Sequence, residues 1–287
     1  MTVRVVTDSS CDLPPEIARE LSITIVPLYI QLGDKTYLDG VDINVDRVYH
    51  ELVQGHENPK TSVPPPGDFI KVYSDLATKT DQIISIHLAS GYSGTYNAAS
   101  LAKSYLDDKC RVEVIDSNSA SVGLGLIVIA AAKAAQEGKH LDQIVDLVRQ
   151  IIPRTHIFGK SDNFPYILQG KRLRFTRVLI LLGKISMSLH MKMLGEIYDG
   201  GKIRTPAYVI GLKMALNQLK RWAKSFETLE ELAIAYSSMP QEAEMLAELL
   251  SPLFPRERIL ITRLGCATST YVGPGTLAMA LIHGEQL

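Results

Sequence analysis

The hydrophobic positions follow two different rhythms along the chain. Up to about residue 152, short apolar runs alternate with longer segments of helical periodicity. Val3–Val6 is short and β-branched. Asp12-Leu13-Pro14-Pro15 after it predicts an N-cap and a proline-tolerant first turn, opening a helix through Leu21. Ile23–Ile30 predicts a second strand, Val45–Val53 a helix, Lys60–Pro66 a proline-rich loop and Asp68–Ala77 another helix. Gln82–Leu88 reads as an apolar strand, Thr95–Leu106 as a helix and Val112–Ile115 as a strand. Val122–Gln136 is Ala-rich and predicts a buried helix, and Leu141–Ile152 closes this half as an amphipathic one. Strands separated by helices imply βαβ units, hence a mainly parallel sheet with helices on both faces.

Beyond that point the pattern changes. Asn163–Gly170 and Arg174–Leu182 predict helices. Lys184–Leu194, Glu196–Tyr198 and Lys202–Arg204 predict strands, with Asp199-Gly200-Gly201 as a hairpin signal. Thr205-Pro206 predicts an N-cap and first turn of a helix to about Phe226. Leu232–Tyr236, Gln241–Leu250 and Arg258–Thr262 follow as strand, helix and strand. The expected architecture is α/β with two domains: an N-terminal α/β domain over residues 1–153 and a C-terminal α+β domain over 154–287.

A length of 287 residues accommodates two such domains. Hydrophobic residues make up 46% and charged residues 21%, which excludes a disordered chain. Thirty basic residues against 31 acidic leave no phosphate-neutralising excess, so a general nucleic-acid binder is not expected. No basic segment followed by a long apolar one opens the chain, and the longest uncharged apolar run, Val122–Ala132, is too short to span a bilayer. Three cysteines, Cys11, Cys110 and Cys266, are odd in number and far apart, which fits a reducing cytoplasm better than a disulfide framework.

Three predicted strands end in clusters of small hydroxyl residues: Thr7-Asp8-Ser9-Ser10, Ser90-Gly91-Tyr92-Ser93-Gly94-Thr95 and Asp116-Ser117-Asn118-Ser119. Ligands of open α/β sheets bind outside the carboxyl ends of the strands, where helix N-termini favour negative charge. Ser93 precedes a helix, so its hydroxyl either meets a carboxylate or phosphate or merely caps that helix. Asp8 and Asp116 read more simply as turn residues. Lys60-Thr61-Ser62 stands before Pro64-Pro65-Pro66, which either stiffens a ligand-binding loop or serves as a connector alone.

Several enzyme templates do not fit. Gly91-Tyr92-Ser93-Gly94 is followed by Thr95, so the nucleophile elbow is incomplete. Gly123-Leu124-Gly125 lacks the third glycine of a dinucleotide fingerprint, and Gly200-Gly201-Lys202 lacks the P-loop spacing. No histidine pair has metal-ligand spacing, so no metal or cofactor is expected. His87, inside a predicted strand, reads as packed. A serine-dependent hydrolase or acyltransferase using Ser93 would need a base that the strand pattern does not place beside it. Lys171, Arg172, Arg174 and Arg177 form a basic run, either a solvated helix face or a counter-charge for an anion or partner.

Taken together, Thr7-Asp-Ser-Ser-Cys-Asp-Leu-Pro14, Val26-Pro-Leu28, Lys60-Thr-Ser62 with Pro66-Gly-Asp-Phe69, Ser93-Gly-Thr-Tyr96, Val114-Ile-Asp-Ser117 with Gly123-Leu-Gly125, and Gly273-Pro-Gly275 resemble the DegV family over nearly the whole chain. The resemblance implies a cytoplasmic two-domain protein that binds one long-chain fatty acid between its domains. It also implies the role of a non-catalytic, acyl-carrying subunit of a bacterial fatty acid kinase, presenting the carboxylate to a separate ATP-binding subunit. The family's carboxylate contacts would fall here on Thr61, Ser62, Ser93 and Gly94. Its Gly-Gly-Arg motif reads Gly170-Lys171-Arg172, keeping Arg172. The histidine it carries before Gly-Pro-Gly is replaced by Tyr271, a neutral hydrogen-bond donor.

Overall fold

The structure, a computed structural model, describes residues 2–54, 59–106, 110–162, 191–198 and 202–284. Strand β1 (Arg4–Asp8) buries successive side chains on both faces, as a central strand of a covered sheet must. A 3-10 turn, Ser9–Cys11, follows it. Helix α1 (Pro15–Glu20) begins at the second of two prolines and has Pro14 as its N-cap. Asp12 therefore does not cap the helix as its sequence position predicted. It adopts a left-handed conformation (φ 50°), which aspartate tolerates, and its carboxyl reaches other segments instead.

β2 (Ile23–Val26) pairs parallel with β1 and stops at Pro27, which has no N–H for the ladder. The single strand expected over Ile23–Ile30 is thus two. Its second part, β3 (Tyr29–Leu32), lies in a separate antiparallel sheet with β4 (Lys35–Leu38). Helix α2 (Val45–Gln54) buries Val48, Tyr49 and Leu52. β5 (Lys60–Ser62), expected as loop, completes that sheet by pairing Thr61 with Ile30. Then come α3 (Pro66–Ala77), β6 (Gln82–His87), α4 (Thr95–Lys103), β7 (Arg111–Asp116), α5 (Ser121–Gln136) and α6 (Leu141–Ile151). The four-stranded sheet β2-β1-β6-β7 is wholly parallel. Phe69 and Tyr73 of α3 and Ala99 and Ala102 of α4 cover one face. Helices α1, α5 and α6 cover the other.

The chain crosses to the second of the two large sheets, six-stranded, through a 3-10 turn at Ile152–Arg154. Its elements are β8 (Thr155–Ser161), β9 (Met191–Tyr198), β10 (Lys202–Ile210), α7 (Leu212–Lys224), β11 (Leu229–Tyr236), α8 (Pro240–Leu250), β12 (Leu260–Arg263), α9 (Cys266–Val272) and β13 (Thr276–His283). The strand order is β10-β9-β8-β13-β11-β12, antiparallel except for β11 with β12. Leu216 and Leu219 of α7 and Leu246 and Leu250 of α8 pack on one face. On the other face lies α5, so this helix is buried between the two sheets. A Cβ at Gly123 would come within 2.6 Å of Ile157 Cδ1, and one at Gly125 within 2.8 Å of the Cys11 carbonyl oxygen. Those glycines let α5 approach both sides closely.

The helix expected from Thr205-Pro206 is overturned. β10 runs through these positions, and the ladder shifts register between Arg204 and Ala207. It is the edge strand, where a proline without an N–H is tolerated. The helix begins only at Leu212, after Gly211 (φ 82°). β9 is unbroken where the pattern predicted an interruption before Glu196. The Asp199–Gly201 turn lies outside the described residues, but Tyr198 and Lys202 on either side pair antiparallel. The helices predicted over Asn163–Gly170 and Arg174–Leu182, and the predicted strand before Met191, also lie outside the described residues.

Candidate functional site

A cavity of about 210 Å³ opens between the two sheets. Its walls are mostly apolar: Leu28 and Leu88 from the first half, Ile157, Met193, Ile197 and Ala278 from the second. Against these stand the hydroxyl residues Thr61, Ser93, Tyr271, Ser10, Ser121 and Thr268.

Thr61 reaches the cavity because β5 pairs with β3, and Tyr271 because it sits in the last turn of α9. The two hydroxyls, 210 residues apart in sequence, bond to each other. Ser93 Oγ lies 2.8 Å from Thr95 Oγ1 and accepts from the Thr95 N–H at 3.3 Å. Ser93 is not the helix cap. That position belongs to Gly94, where a Cβ would touch Val63 at 3.6 Å, so the Ser93–Gly94 turn packs beside the strand that carries Thr61. Ser62 and Gly94 are exposed, and neither lines the cavity. Arg172 lies outside the described residues. Ser10, Ser121 and Thr268 were not singled out in the sequence; of these, only Ser10 belonged to a hydroxyl cluster at a strand end.

Behind Ser10 runs a buried polar chain. Ser10 donates to Asp8 Oδ1 through both its N–H and its hydroxyl. Asp8 Oδ2 meets His87 Nδ1 at 3.0 Å and accepts from the Leu88 N–H. His87 Nε2 lies 2.7 Å from Ser85 Oγ, to which the Tyr73 hydroxyl donates. Burial pushes the Asp8 carboxyl up, but the bonds from His87, Ser10 and Leu88 and the charge interaction with His87 outweigh it, and it lies below its usual range. His87, the histidine nearest in sequence to Ser93, is thus engaged at both ring nitrogens, with Ser85 and Asp8.

Helix α9 is fixed at both ends. At its start Asp39 accepts from the Cys266 and Ala267 N–H groups and from the Ser9 hydroxyl. Asp12 accepts from the Gly265 N–H. Midway, Ser269 Oγ lies 2.6 Å from the Tyr49 hydroxyl. At its end Gly273 and Gly275 take left-handed φ values of 69° and 73° around Pro274, and Asp162 donates its N–H to the Gly275 carbonyl. A Cβ at Gly275 would strike Asp162 at 2.9 Å. Asp162 in turn pairs with Lys160 and Lys192, and Lys160, fully buried, also pairs with Glu242. The Lys160 ammonium is therefore paired with two carboxylates within the wall, while Thr61, Ser93 and Tyr271 line the cavity with hydroxyl groups.

Among the described residues no group of His, Cys, Asp and Glu could hold a metal ion, and no helix is long and apolar enough to cross a membrane.

Fold and cavity define an α/β protein in which a parallel sheet and a mixed sheet enclose an apolar chamber headed by hydroxyl groups. The chain belongs to the DegV family: the family profile (uncharacterised protein, DegV family) matches residues 2–284. It is 32% identical over 275 residues to a DegV domain-containing protein of Caldanaerobacter subterraneus subsp. tengcongensis, covering 95% of each chain. Among solved structures it is similar to a fatty-acid-binding DegV family protein of Thermus thermophilus, with a TM-score of 0.85 and 25% identity over 99% of this chain and 100% of that one. It shares its fold with the fatty acid kinase B3 protein of Streptococcus pneumoniae, solved loaded with linoleic acid, with a TM-score of 0.86 and 23% identity over 99% and 100% of the two chains.

Proposed function

We propose that this protein binds one long-chain fatty acid in the chamber between its sheets. In this reading Thr61, Ser93 and Tyr271 hold the carboxylate, and the apolar walls from Leu28 to Ala278 hold the tail. The observation that carries the proposal is the Thr61–Tyr271 hydroxyl pair at a mostly apolar cavity. A carboxylate placed between them lets both donate, which gives charge-assisted bonds in place of a neutral one. The tail supplies affinity: at roughly 0.8 kcal/mol per buried CH₂, a long acyl chain contributes on the order of 10 kcal/mol gross. The hydroxyls set its orientation.

The likeness to the fatty-acid-binding relative from Thermus thermophilus supports this ligand class. The finer role we infer is that of an acyl-carrying subunit, which presents the carboxylate to a separate ATP-binding kinase subunit for phosphorylation. Arg172 and the basic residues beside it are proposed to serve the head group or that partner. Mass spectrometry of lipid extracted from the purified protein tests the ligand, with a fatty acid as the expected species. A delipidated sample that takes up no saturated or monounsaturated acid would exclude the reading. Formation of acyl phosphate from the loaded protein, ATP and a fatty acid kinase subunit tests the finer role; no product with a protein shown to carry its acid would exclude that role alone.

A further inference from the structure

Asp12 lies directly behind the cavity wall. It is buried between the turn after β1, the start of α5 and the start of α9. Oδ2 is 2.5 Å from the Ser121 hydroxyl. Oδ1 accepts from the Gly265 N–H at 2.8 Å and from the Thr268 hydroxyl at 3.2 Å. The Asp12 carbonyl accepts from Thr262 as well. Ser121 and Thr268 both line the cavity. One carboxyl therefore holds two of the cavity's hydroxyl residues and fixes where α9, the helix of Tyr271, begins.

What Ser121 offers the cavity depends on a single proton. With Asp12 ionised, the Ser121 O–H donates to Oδ2 and leaves only lone pairs for a ligand. With Asp12 neutral, an acid O–H on Oδ2 donates to Ser121, and the serine's own hydrogen is released. Oδ1 keeps Gly265 and Thr268 in both states, so neither state leaves a buried group unpaired and no backbone shift is needed. Ser10 has no such freedom, because its hydroxyl is committed to Asp8.

The surroundings favour the neutral form. Asp39 approaches Asp12 from the segment between β4 and α2, and its charge opposes ionisation. Cys11, Cys266 and Tyr49 are also near, and burial lifts each of them, so they bring no charge at neutral pH. Arg19 and Arg263 line the cleft on the outer side of Asp12, and Arg263 is engaged with Asp46. Burial outweighs the hydrogen bonds from Ser121, Gly265 and Thr268 and lifts the Asp12 carboxyl to about 7.

We propose that Asp12 is a positioning residue that takes up a proton when an anionic amphiphile enters the cavity, converting Ser121 from acceptor to donor. The proton comes from the solvent and adds to Asp12 Oδ2, while the ligand carboxylate stays ionised. A second negative charge at the cavity, close behind which Asp12 and Asp39 already lie, drives this uptake by repulsion. The inference rests on the fatty-acid reading above.

Calorimetric titration of the delipidated protein with tetradecanoate, in phosphate and in Tris buffer, counts the protons exchanged per ligand. Because Asp12 is half ionised near neutrality, the expected result is net uptake of up to about half a proton near pH 7, shrinking as the pH falls towards about 6, where the free ligand is still an anion and Asp12 is already mostly protonated. Asp12→Asn should abolish the uptake. Ser121→Ala, which removes a donor to the carboxylate and leaves Asp12 more fully protonated beforehand, should reduce it. The carboxyl ¹³C shift of labelled tetradecanoate should remain that of a carboxylate throughout. Binding to wild type without uptake at any pH from about 6 to 8 would overturn the inference, independently of whether the variants fold. So would undiminished uptake in Asp12→Asn, or a ligand that is itself protonated. A protein that binds no tetradecanoate would overturn the fatty-acid reading, and this inference with it.

Discussion

Tyr271→Phe removes one oxygen and keeps the ring, so it isolates the contribution of the phenol. In the structure that hydroxyl is bonded to Thr61. A carboxylate accepting from both groups gains a hydrogen bond to a charged acceptor, worth about 1.5–3 kcal/mol, while the neutral Tyr271–Thr61 bond, worth about 0.5–1.5 kcal/mol, is given up. The net loss expected in the variant is about 1 kcal/mol, or roughly a fivefold to tenfold rise in Kd for a free fatty acid. The assay is calorimetric titration of delipidated wild type and variant with the acid and with its methyl ester. The ester is a weaker acceptor, so its affinity should change less. Equal affinities of the two proteins for the free acid would refute the reasoning, because the tail contacts are the same in both. A loss of the same size for acid and ester would also refute it, since that points to disturbed packing around the ring.

Ser93→Ala should weaken fatty-acid binding in direct calorimetry by a few-fold, consistent with one lost hydrogen bond to the carboxylate. In an assay with a chromogenic acyl ester, wild type and Ser93→Ala should give the same background rate; turnover that vanishes in the variant would show Ser93 acting as a nucleophile. Gly123→Ala should lower stability in urea unfolding by about 1–3 kcal/mol, because its Cβ falls 2.6 Å from Ile157 Cδ1. The pH dependence of stability should carry the mark of Asp12. Its folded value of about 7 lies above its ordinary 3.8, so between those limits the folded state binds more protons than the unfolded one, and stability falls as pH rises through this window. Melting curves of Asp12→Asn should lack that decline, and a difference between the two proteins that does not vary with pH would count against the assignment. Asp8 acts with the opposite sign: its depressed carboxyl stabilises the fold above about 3.8, and that contribution is lost as pH falls through the folded value.

The parallel half of the fold was legible because its strands are buried on both faces and stand out as apolar runs, as Gln82–His87 does. Helix α5 was legible for the same reason: nearly every residue in it is buried. The pattern misled where tertiary context overrode local chemistry. Thr205-Pro206 is a good helix opening, yet here an edge strand accommodates it. Asp12 is a good cap ahead of two prolines, but its partners stand 109, 253 and 256 residues away, beyond any local signal. The site divided in the same way. Ser93 marked itself by following a strand and preceding a helix. The meeting of Thr61 with Tyr271 was foreshadowed only by family resemblance, because neither residue's neighbours in sequence say what faces it. Ser121 and Thr268 had no distinguishing pattern at all.

The seating of α5 has a consequence for how the molecule comes apart. Its apolar surface is shared: Ile84 and Ile86 of the parallel sheet and Ala233, Ala235, Ala280 and Ile282 of the mixed sheet belong to one continuous cluster with Leu124 and Ile127. Melting either sheet alone would strip half the cover from a helix with almost no polar side to turn to water. The two sheets are thereby tied into a single cooperative unit. A fragment ending at Ile152 would retain the parallel sheet but present the uncovered flank of α5 to solvent, an apolar stripe of the kind that drives self-association. The crossing at Ile152–Arg154 divides the chain without dividing its unfolding.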